Sequence, residues 1–583
     1  MKSSFLSARV LLVGVAAIVA GGVALYALRS EPLVPEDAPT QEEMADALGA
    51  TVMLHLYRGH VPDRSGDILV VPKPDHFLIS EWDLRTLASE NPFDKTTHAG
   101  PWDYLTRVPI VAFDPGLVPA GRESDEPVDI AALAPTYARL LGMDDFNSPA
   151  CSLELIVECD RRGGIADPPR VIFTVVIDGG GWNVLERYPD AWPNIKALMD
   201  DGLVYRNATI GSAPATTGAL HATFGTGFYP MDHGLPGNIL RTPEGEIEDV
   251  YLDDSDPRYI EKPSVSELWD EQNDNDAIVG TISFEGWHLG MIGHGAQRDG
   301  GDRDLAAIWD RPGRKWTINE EFYELPSFLE KTDLNALRRY ENQLDPRDGE
   351  RDGKWFSETP LSLRRNKNER ASSPAFARLT GDAVIDLLEK EPIGADDITD
   401  LIWIELKIPD SAGHAWNVIR PEVEDVLAET DAQVGRFRDT LDRVVGEGDY
   451  LFVLSADHGQ QPLPEIDEGW RVMTSELERD IVTHFGPVVE APSPADIYLD
   501  HEAMEERGIT ADDIARWLGD YTIEQNIPDG APGKDLVPAE RLDDRVFAAV
   551  ISTDFFESLT FERIRSFGES DYAEGNYPAD LGD

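Results

Sequence analysis

The sequence predicts a doubly wound, mostly parallel α/β fold. Three observations lead there. Short runs rich in Val, Ile, Leu and Phe recur without polar alternation, in "RVIFTVVIDGGG" (170–181), "DLIWIELKIPDSAGH" (400–414) and "DYLFVLSADHGQ" (449–460). Strands buried on both faces of a parallel sheet read this way, whereas half-exposed strands alternate. Helical patterns lie between the runs, for example at 191–201 and 421–446, which gives the β–α alternation of such a fold. Each run ends at once in Asp or His, and in open parallel sheets ligands bind just beyond the carboxyl ends of strands.

The bulk composition fits a large enzyme. The chain has 583 residues, 41% of them hydrophobic, ample for a large core. Length alone suggests two or three domains, but large α/β chains often run as one unit, and 49–583 is read as one catalytic α/β domain. Acid dominates, with 109 Asp and Glu against 51 Lys and Arg, a net charge of −58, and it is spread along the chain. Only 12 of the bases are Lys. Such a surface disfavours polyanions, so no nucleic-acid polymer is expected as partner. It suits a halophilic or marine protein, where salt screens self-repulsion, although plain solubility gives the same composition.

Taken from the N-terminus, residues 10–28, "VLLVGVAAIVAGGVALYAL", form an uncharged apolar stretch long enough to span a bilayer. Lys2 and Arg9 precede it, which places that end in the cytoplasm and the body outside. No clean small-x-small cleavage site follows, so residues 1–29 read as an uncleaved membrane anchor in preference to a signal, and 30–48 as a linker. The body is exported either way, and secreted if the segment is cleaved. Cys151 and Cys159 enclose seven residues; in an exported chain they can close a small disulfide loop, or stand as two unrelated buried thiols.

The residues after the three apolar runs are Asp178, then Asp410 with His414, then Asp457 with His458. A single Asp at a strand end is usually a turn residue or a helix cap. Three such ends, two of them also supplying His, point instead to a cation that takes mixed oxygen and nitrogen donors, such as zinc. Five ligands exceed one tetrahedral ion, and two ions roughly 3.5–4 Å apart are the usual arrangement for phosphoryl chemistry. Thr217 opens the small-residue segment "TGALHATFGTG". A hydroxyl at a helix N-terminus lies where backbone N–H groups attract an anion, and a neighbouring cation makes it nucleophilic. The plainer role for Thr216 or Thr217 is that of an N-cap.

Together, Asp178, Thr217 with His221, "TGFYPMDHG" (226–234), "PDSAGH" (409–414) and "SADHG" (455–459) resemble the alkaline phosphatase superfamily, and most closely its type I phosphodiesterase/nucleotide pyrophosphatase branch. The resemblance implies two zinc ions and a Thr nucleophile. Asp178, Asp457 and His458 would hold one ion, Asp410 and His414 the other, and Asn238 would bind a phosphoryl oxygen. A phospho-threonine intermediate would then be hydrolysed.

The second ion still lacks a histidine. In the family it lies downstream of the "DHG" segment, where this chain offers only His484, in a helix-like run, and His501, at the start of another. The matching block stands at the opposite end. "HVPDRSGDILVVPKP" (60–74), "TTHAGPWDYLTRVPIVAFDPG" (96–116) and "DIAALAPTYARLLGM" (129–143) follow the family's order internally. The chain therefore reads as a circular permutant, with 49–145 as the moved segment, His98 as the missing ligand and "RVFAAVISTDFF" lying near residues 50–60.

Monoesterases of this superfamily carry an added Lys and Arg. The corresponding stretch offers Glu285, Trp287 and His288, so a phosphodiester or pyrophosphate substrate is expected; Arg298 and Arg303 are the candidates to substitute, which keeps a phosphomonoesterase as the alternative. His288 and His294 read as structural or supporting. Residues 305–375 are polar and rich in Arg, and read as an insertion or lid near the site. The sulfatase branch is disfavoured: it needs a Cys or Ser in a C/S-x-P-x-R motif, and neither Cys151 nor Cys159 lies in one. A catalytically inactive tethered binding protein is the alternative of another class.

Overall fold

The computed structural model describes residues 33–81, 84–88, 96–251, 255–311, 314–355, 371–462, 469–493 and 495–572. The apolar stretch 10–28 lies outside them. Among the described residues, no helix is long and apolar enough to cross a membrane.

The centre is a ten-stranded sheet. Its longer strands are β2 (Arg107–Phe113), β3 (Val171–Ile177), β4 (Leu203–Thr209), β5 (Val279–Ile282), β6 (Leu305–Asp310), β7 (Asp400–Leu406) and β8 (Tyr450–Ala456); β1 (Ile68–Pro72) belongs to a second sheet. In space they run β6-β5-β7-β3-β8-β2-β4, with short strands at the edges. The five from β6 to β8 are mutually parallel, and β2 is antiparallel to both β8 and β4. A mostly parallel sheet with helices on both faces is the architecture that the apolar runs predict.

The lack of alternation in those runs has a direct cause. In β3, Val171, Phe173, Val175 and Ile177 enter the core on one face, and Ile172 and Val176 the core on the other. In β7, Ile402, Ile404 and Leu406 face one core and Leu401 and Trp403 the other. Helices α1 (Leu133–Leu141) and α2 (Thr217–Thr226) cover one face; α3 (Pro374–Lys390) and α4 (Pro421–Leu441) cover the other.

Residues 305–310 and 315–317, which the sequence assigns to an insertion, are strands of this sheet: β6 lies parallel to β5, and Lys315–Thr317 pairs with β6. β6 reads "LAAIWD", too short to stand out from its Arg-rich surroundings. Residues 356–370 of that segment lie outside the described residues.

The second sheet joins distant parts of the chain. β1 pairs antiparallel with both Asp496–Leu499 and Phe547–Ser552. Gln41 donates to the Val550 carbonyl at 3.1 Å and accepts from the Ser552 N–H at 2.9 Å. Tyr57 meets Phe561 edge-on, and His60 stacks on Phe556, each at 5.1 Å. "RVFAAVISTDFF" therefore packs against Gln41 and against His60, the latter within the 50–60 stretch expected beside it. Cys151 and Cys159 form a disulfide.

Candidate active site

Sheet register builds the site. Ile177 of β3 lies opposite Leu406 of β7 and Ala456 of β8, so three neighbouring parallel strands end together. Asp178, Asp457 and the short helix Ile408–Trp416, which carries Asp410, all start from that edge. Gly179 has φ +68°, and a Cβ there would lie 3.0 Å from the Asp410 Cα. Backbone turn and close approach both require glycine at that point.

The antiparallel strand β2 delivers the remaining histidine. Because it runs opposite to β8, its amino end lies at the carboxyl end of β8, and the segment leading into it, with His98, reaches the same edge. His98 Nε2 is 3.3 Å from Asp410 Oδ1, and His414 Nε2 is 3.4 Å from the same oxygen. His98 Nδ1 pairs with the Ala215 carbonyl at 2.8 Å, and His414 Nδ1 with the Thr96 carbonyl at 2.7 Å, so each ring keeps Nε2 turned toward Asp410.

Beside this group, His458 Nε2 is 3.4 Å from Asp178 Oδ1 and 3.3 Å from Asp457 Oδ2. All three atoms are buried and have no hydrogen-bond partner. Buried polar atoms are almost always paired, so three convergent ligand-type atoms without partners fit a bound cation. The two groups, His98/Asp410/His414 and Asp178/Asp457/His458, each keep their ligand atoms within 4.8 Å of one another. The rings of His98 and His458 stack at 3.6 Å, so the two groups adjoin.

The charges are tightly coupled. Lys407 Nζ lies 2.7 Å from both Asp178 Oδ2 and Asp410 Oδ2. Burial opposes ionisation of Asp178, but the Lys407 ammonium, the His288 hydrogen bond and His458 together outweigh it and hold the carboxyl below its usual range. Burial likewise opposes ionisation of Asp410, and His414 and Lys407 together hold it low. Asp457 is pushed up, by burial and then by the Asp178 charge. Burial pushes His458 down to about 3, keeping the ring neutral, as a ligand must be.

Thr217 and Asn238 reach the same cleft, of about 570 Å³, which His98, Asp410 and His414 also line. Thr217 is the first residue of α2; the N-cap is Thr216, whose side chain makes no cap bond. The Thr217 side chain is thus not spent as a cap. Gly218 N–H donates to Asn238 Oδ1 at 2.8 Å, which fixes that amide beside the helix start. All eight residues singled out in the sequence therefore meet in one place. His484 and His501 do not: His484 stacks on Trp517 at 4.8 Å, and His501 pairs with Asp67.

The sequence reading missed two cations. Lys407 and Arg311 both line the cleft, with Glu285 and Trp287. Arg311 follows β6 and pairs with Glu285, while its Nε is buried without a partner. The Arg candidates named from the sequence go elsewhere: Arg298 pairs with Glu271 at 2.6 Å, and Arg303 donates to the Glu320 carbonyl at 3.4 Å. Lys407 had a signal, being a scarce Lys at the end of an apolar strand; Arg311 had none. His288 is buried against Asp178 at 3.4 Å and Glu405 at 3.6 Å, and these three also keep ligand-type atoms within 4.8 Å of one another. His294 pairs with Glu267 at 2.9 Å.

The chain is similar to known proteins in sequence and in fold. The family model for type I phosphodiesterase / nucleotide pyrophosphatase matches residues 172–547. The calcium-transporting ATPase of Myroides odoratus is 24% identical over 400 residues, covering 60% of this chain and 72% of that protein. Alkaline phosphatase PafA of Elizabethkingia meningoseptica is 22% identical over 403 residues, with the same shares of each chain. The crystal structure of wild-type PafA superposes with a TM-score of 0.52 at 19% identity, covering 67% of this chain and 85% of the other, a likeness of fold.

Proposed function

Because the chain belongs to the type I phosphodiesterase/nucleotide pyrophosphatase family, within the alkaline phosphatase superfamily, and is a hydrolase acting on phosphate esters, we propose that it cleaves phosphodiester or pyrophosphate bonds through a phospho-threonine intermediate. The observation that carries this reading is the meeting of Thr217, Asn238 and two Asp/His groups in one cleft. His98, Asp410 and His414 would hold one divalent ion and Asp178, Asp457 and His458 the other, with zinc suited to such donors. When bound, the ions supply charge to stabilise the phosphoryl oxygens and lower the pKa of a coordinated hydroxyl or water.

The chain's own residues supply the rest. Thr217 Oγ attacks phosphorus, the P–O bond to the leaving group breaks, and the phosphoryl group passes to Thr217. Water then attacks the phosphorus of the Thr217 ester and restores the hydroxyl, releasing a phosphate monoester when the substrate is a diester and inorganic phosphate when it is a monoester. The backbone N–H groups at the start of α2, other than that of Gly218, which Asn238 Oδ1 holds, face the anion. Asn238, held through its Oδ1, offers its Nδ2 hydrogens to a phosphoryl oxygen. Comparing matched chromogenic mono- and diesters, with metal content measured on the same samples, tests the proposal. A Thr217→Ala variant that retains most of the activity would overturn it.

A phosphomonoesterase is the second reading. Lys407 and Arg311 favour it, because a monoester dianion carries more charge than a diester and is better matched by two cations in the cleft.

We further propose that residues 49–145 are a permuted segment. The family match begins at residue 172, yet β2 and His98 stand before it and share the sheet and the cleft. Anchoring through residues 10–28, with the body outside the cytoplasm, is the remaining part of the reading. The Cys151–Cys159 disulfide suits an oxidising compartment.

A further inference from the structure

A second set of carboxylates lies outside the cleft. Asp270 is near the end of helix α5 (Val265–Gln272), and Asp302 and Asp304 stand in the segment that runs into β6. One carboxylate oxygen from each lies within 4.8 Å of the others. Asp270 is 4% exposed and Asp304 7%, while Asp302 opens to solvent.

Acidic residues often gather on surfaces, and in this chain more than in most. Two features set this group apart. Its two buried carboxylates face like charges: the charged groups acting on Asp304 are Asp270, Glu267 and Asp302, all acidic, and Asp302 and Asp276 act on Asp270, which the Ala277 N–H alone offsets. The neighbouring bases are engaged elsewhere, Arg298 with Glu271 and Arg303 with the Glu320 carbonyl. Independently, Asp270 Oδ1 is buried with no hydrogen-bond partner, and so is Oδ1 of Asn275 in the turn that follows α5. Asn275 bonds through Nδ2 to the Gly300 carbonyl, in the segment that carries Asp302. A buried carboxylate that stands among two others, and keeps one oxygen without a hydrogen-bond partner, is missing a positive partner.

We propose that Asp270, Asp302 and Asp304 hold a hard divalent cation of the Ca²⁺ type, in a site separate from the catalytic cleft. The donors are all oxygen, with no His or Cys, which selects a hard ion over zinc. Three carboxylates and an open side for water suit the larger, irregular shell of Ca²⁺ better than the strict octahedron of Mg²⁺. The ion clamps the segment 298–304 to α5. β6 starts directly after Asp304 and ends beside Arg311, so the clamp fixes one end of the strand that presents Arg311 to the cleft.

Terbium(III) is a luminescent Ca²⁺ surrogate, and Trp269, next to Asp270, is placed to sensitise it. The experiment uses the full zinc-loaded protein. Wild type is expected to show one saturable terbium emission that Ca²⁺ displaces, and a melting temperature that rises with Ca²⁺. Asp302→Asn, at an exposed position that folding tolerates, should weaken terbium binding at least tenfold and abolish the Ca²⁺ shift. Without Ca²⁺, that variant should melt higher than wild type, because one repelling charge is gone. Asp410→Asn should keep the full terbium signal. Emission lost in Asp410→Asn and kept in Asp302→Asn would place the ion in the cleft and overturn the proposal. A wild-type protein that Ca²⁺ neither displaces nor stabilises would mean that the three carboxyls share protons, and would overturn it equally.

Discussion

His98 Nε2 stands 3.3 Å from Asp410 Oδ1, although the two residues belong to opposite halves of the chain. The His98 ring also stacks on His458 at 3.6 Å, so one side chain adjoins both Asp/His groups. His98→Ala is therefore expected to lower kcat/KM by about 100-fold or more and to remove one metal ion per chain, since losing a ligand weakens the ion beyond what a lost outer partner does. His484→Ala, remote on its helix, should change neither. Metal analysis and kinetics on both variants check this. Unchanged metal content in His98→Ala would remove His98 from the ligand set.

Thr217 opens α2 without serving as its cap. Thr217→Ala should reduce turnover by about 10³-fold or more, as expected for loss of a covalent nucleophile. Thr217→Ser should keep a measurable fraction. Acid quenching during turnover should leave a phosphate adduct on the peptide containing residue 217, readable by mass spectrometry. An unmodified peptide in a fully active sample would argue for direct attack by water.

Arg311 separates the two substrate readings. If it grips the extra charge of a monoester, Arg311→Ala should cost monoester hydrolysis about 10–100-fold and change diester hydrolysis by less than about threefold, the range for one charge-assisted contact. Equal losses on matched substrates would make Arg311 a structural partner of Glu285. Lys407 is unsuited to this comparison, because its loss leaves Asp178 and Asp410 facing each other.

His55 predicts an acid limit for the fold. It is 9% exposed, and burial, followed by the Arg58 charge, pushes its pKa down to about 4. The folded state thus accepts the neutral ring, while the unfolded chain binds a proton from about pH 6.5. Its stabilising effect is complete above that pH and is lost as pH falls from 6.5 toward 4, up to about 3 kcal/mol at 1.36 kcal/mol per unit. His55→Gln should flatten the fall in melting temperature across that window by the equivalent of one proton. A variant curve parallel to wild type would show that His55 does not titrate with folding.

Much of the site was legible because burial leaves a mark on composition. β3, β7 and β8 are covered on both faces, so they read as unbroken apolar runs, and polar residues right after such runs stand out. Asp178, Asp410, His414, Asp457 and His458 were found in that way. Arg311 was not, because β6 is short and lies amid polar sequence, and only its pairing with β5 shows that it ends at the cleft. The same blindness made 305–317 read as an insertion. Asp270 and Asp304 went unnoticed for a different reason: in so acidic a chain two more Asp carry no signal until their burial is known.

The sequence by itself determined the fold class, the reaction class and the residues proposed to carry it, since these follow from local pattern and from side-chain chemistry. Only the tertiary structure decided which of those residues meet. The register of three parallel strands aligned Asp178, Asp410 and Asp457, and the reversed direction of β2 brought His98 to their edge. Strand order and direction are set by the packing of two cores against one sheet, a balance of long-range contacts that no single stretch of sequence contains.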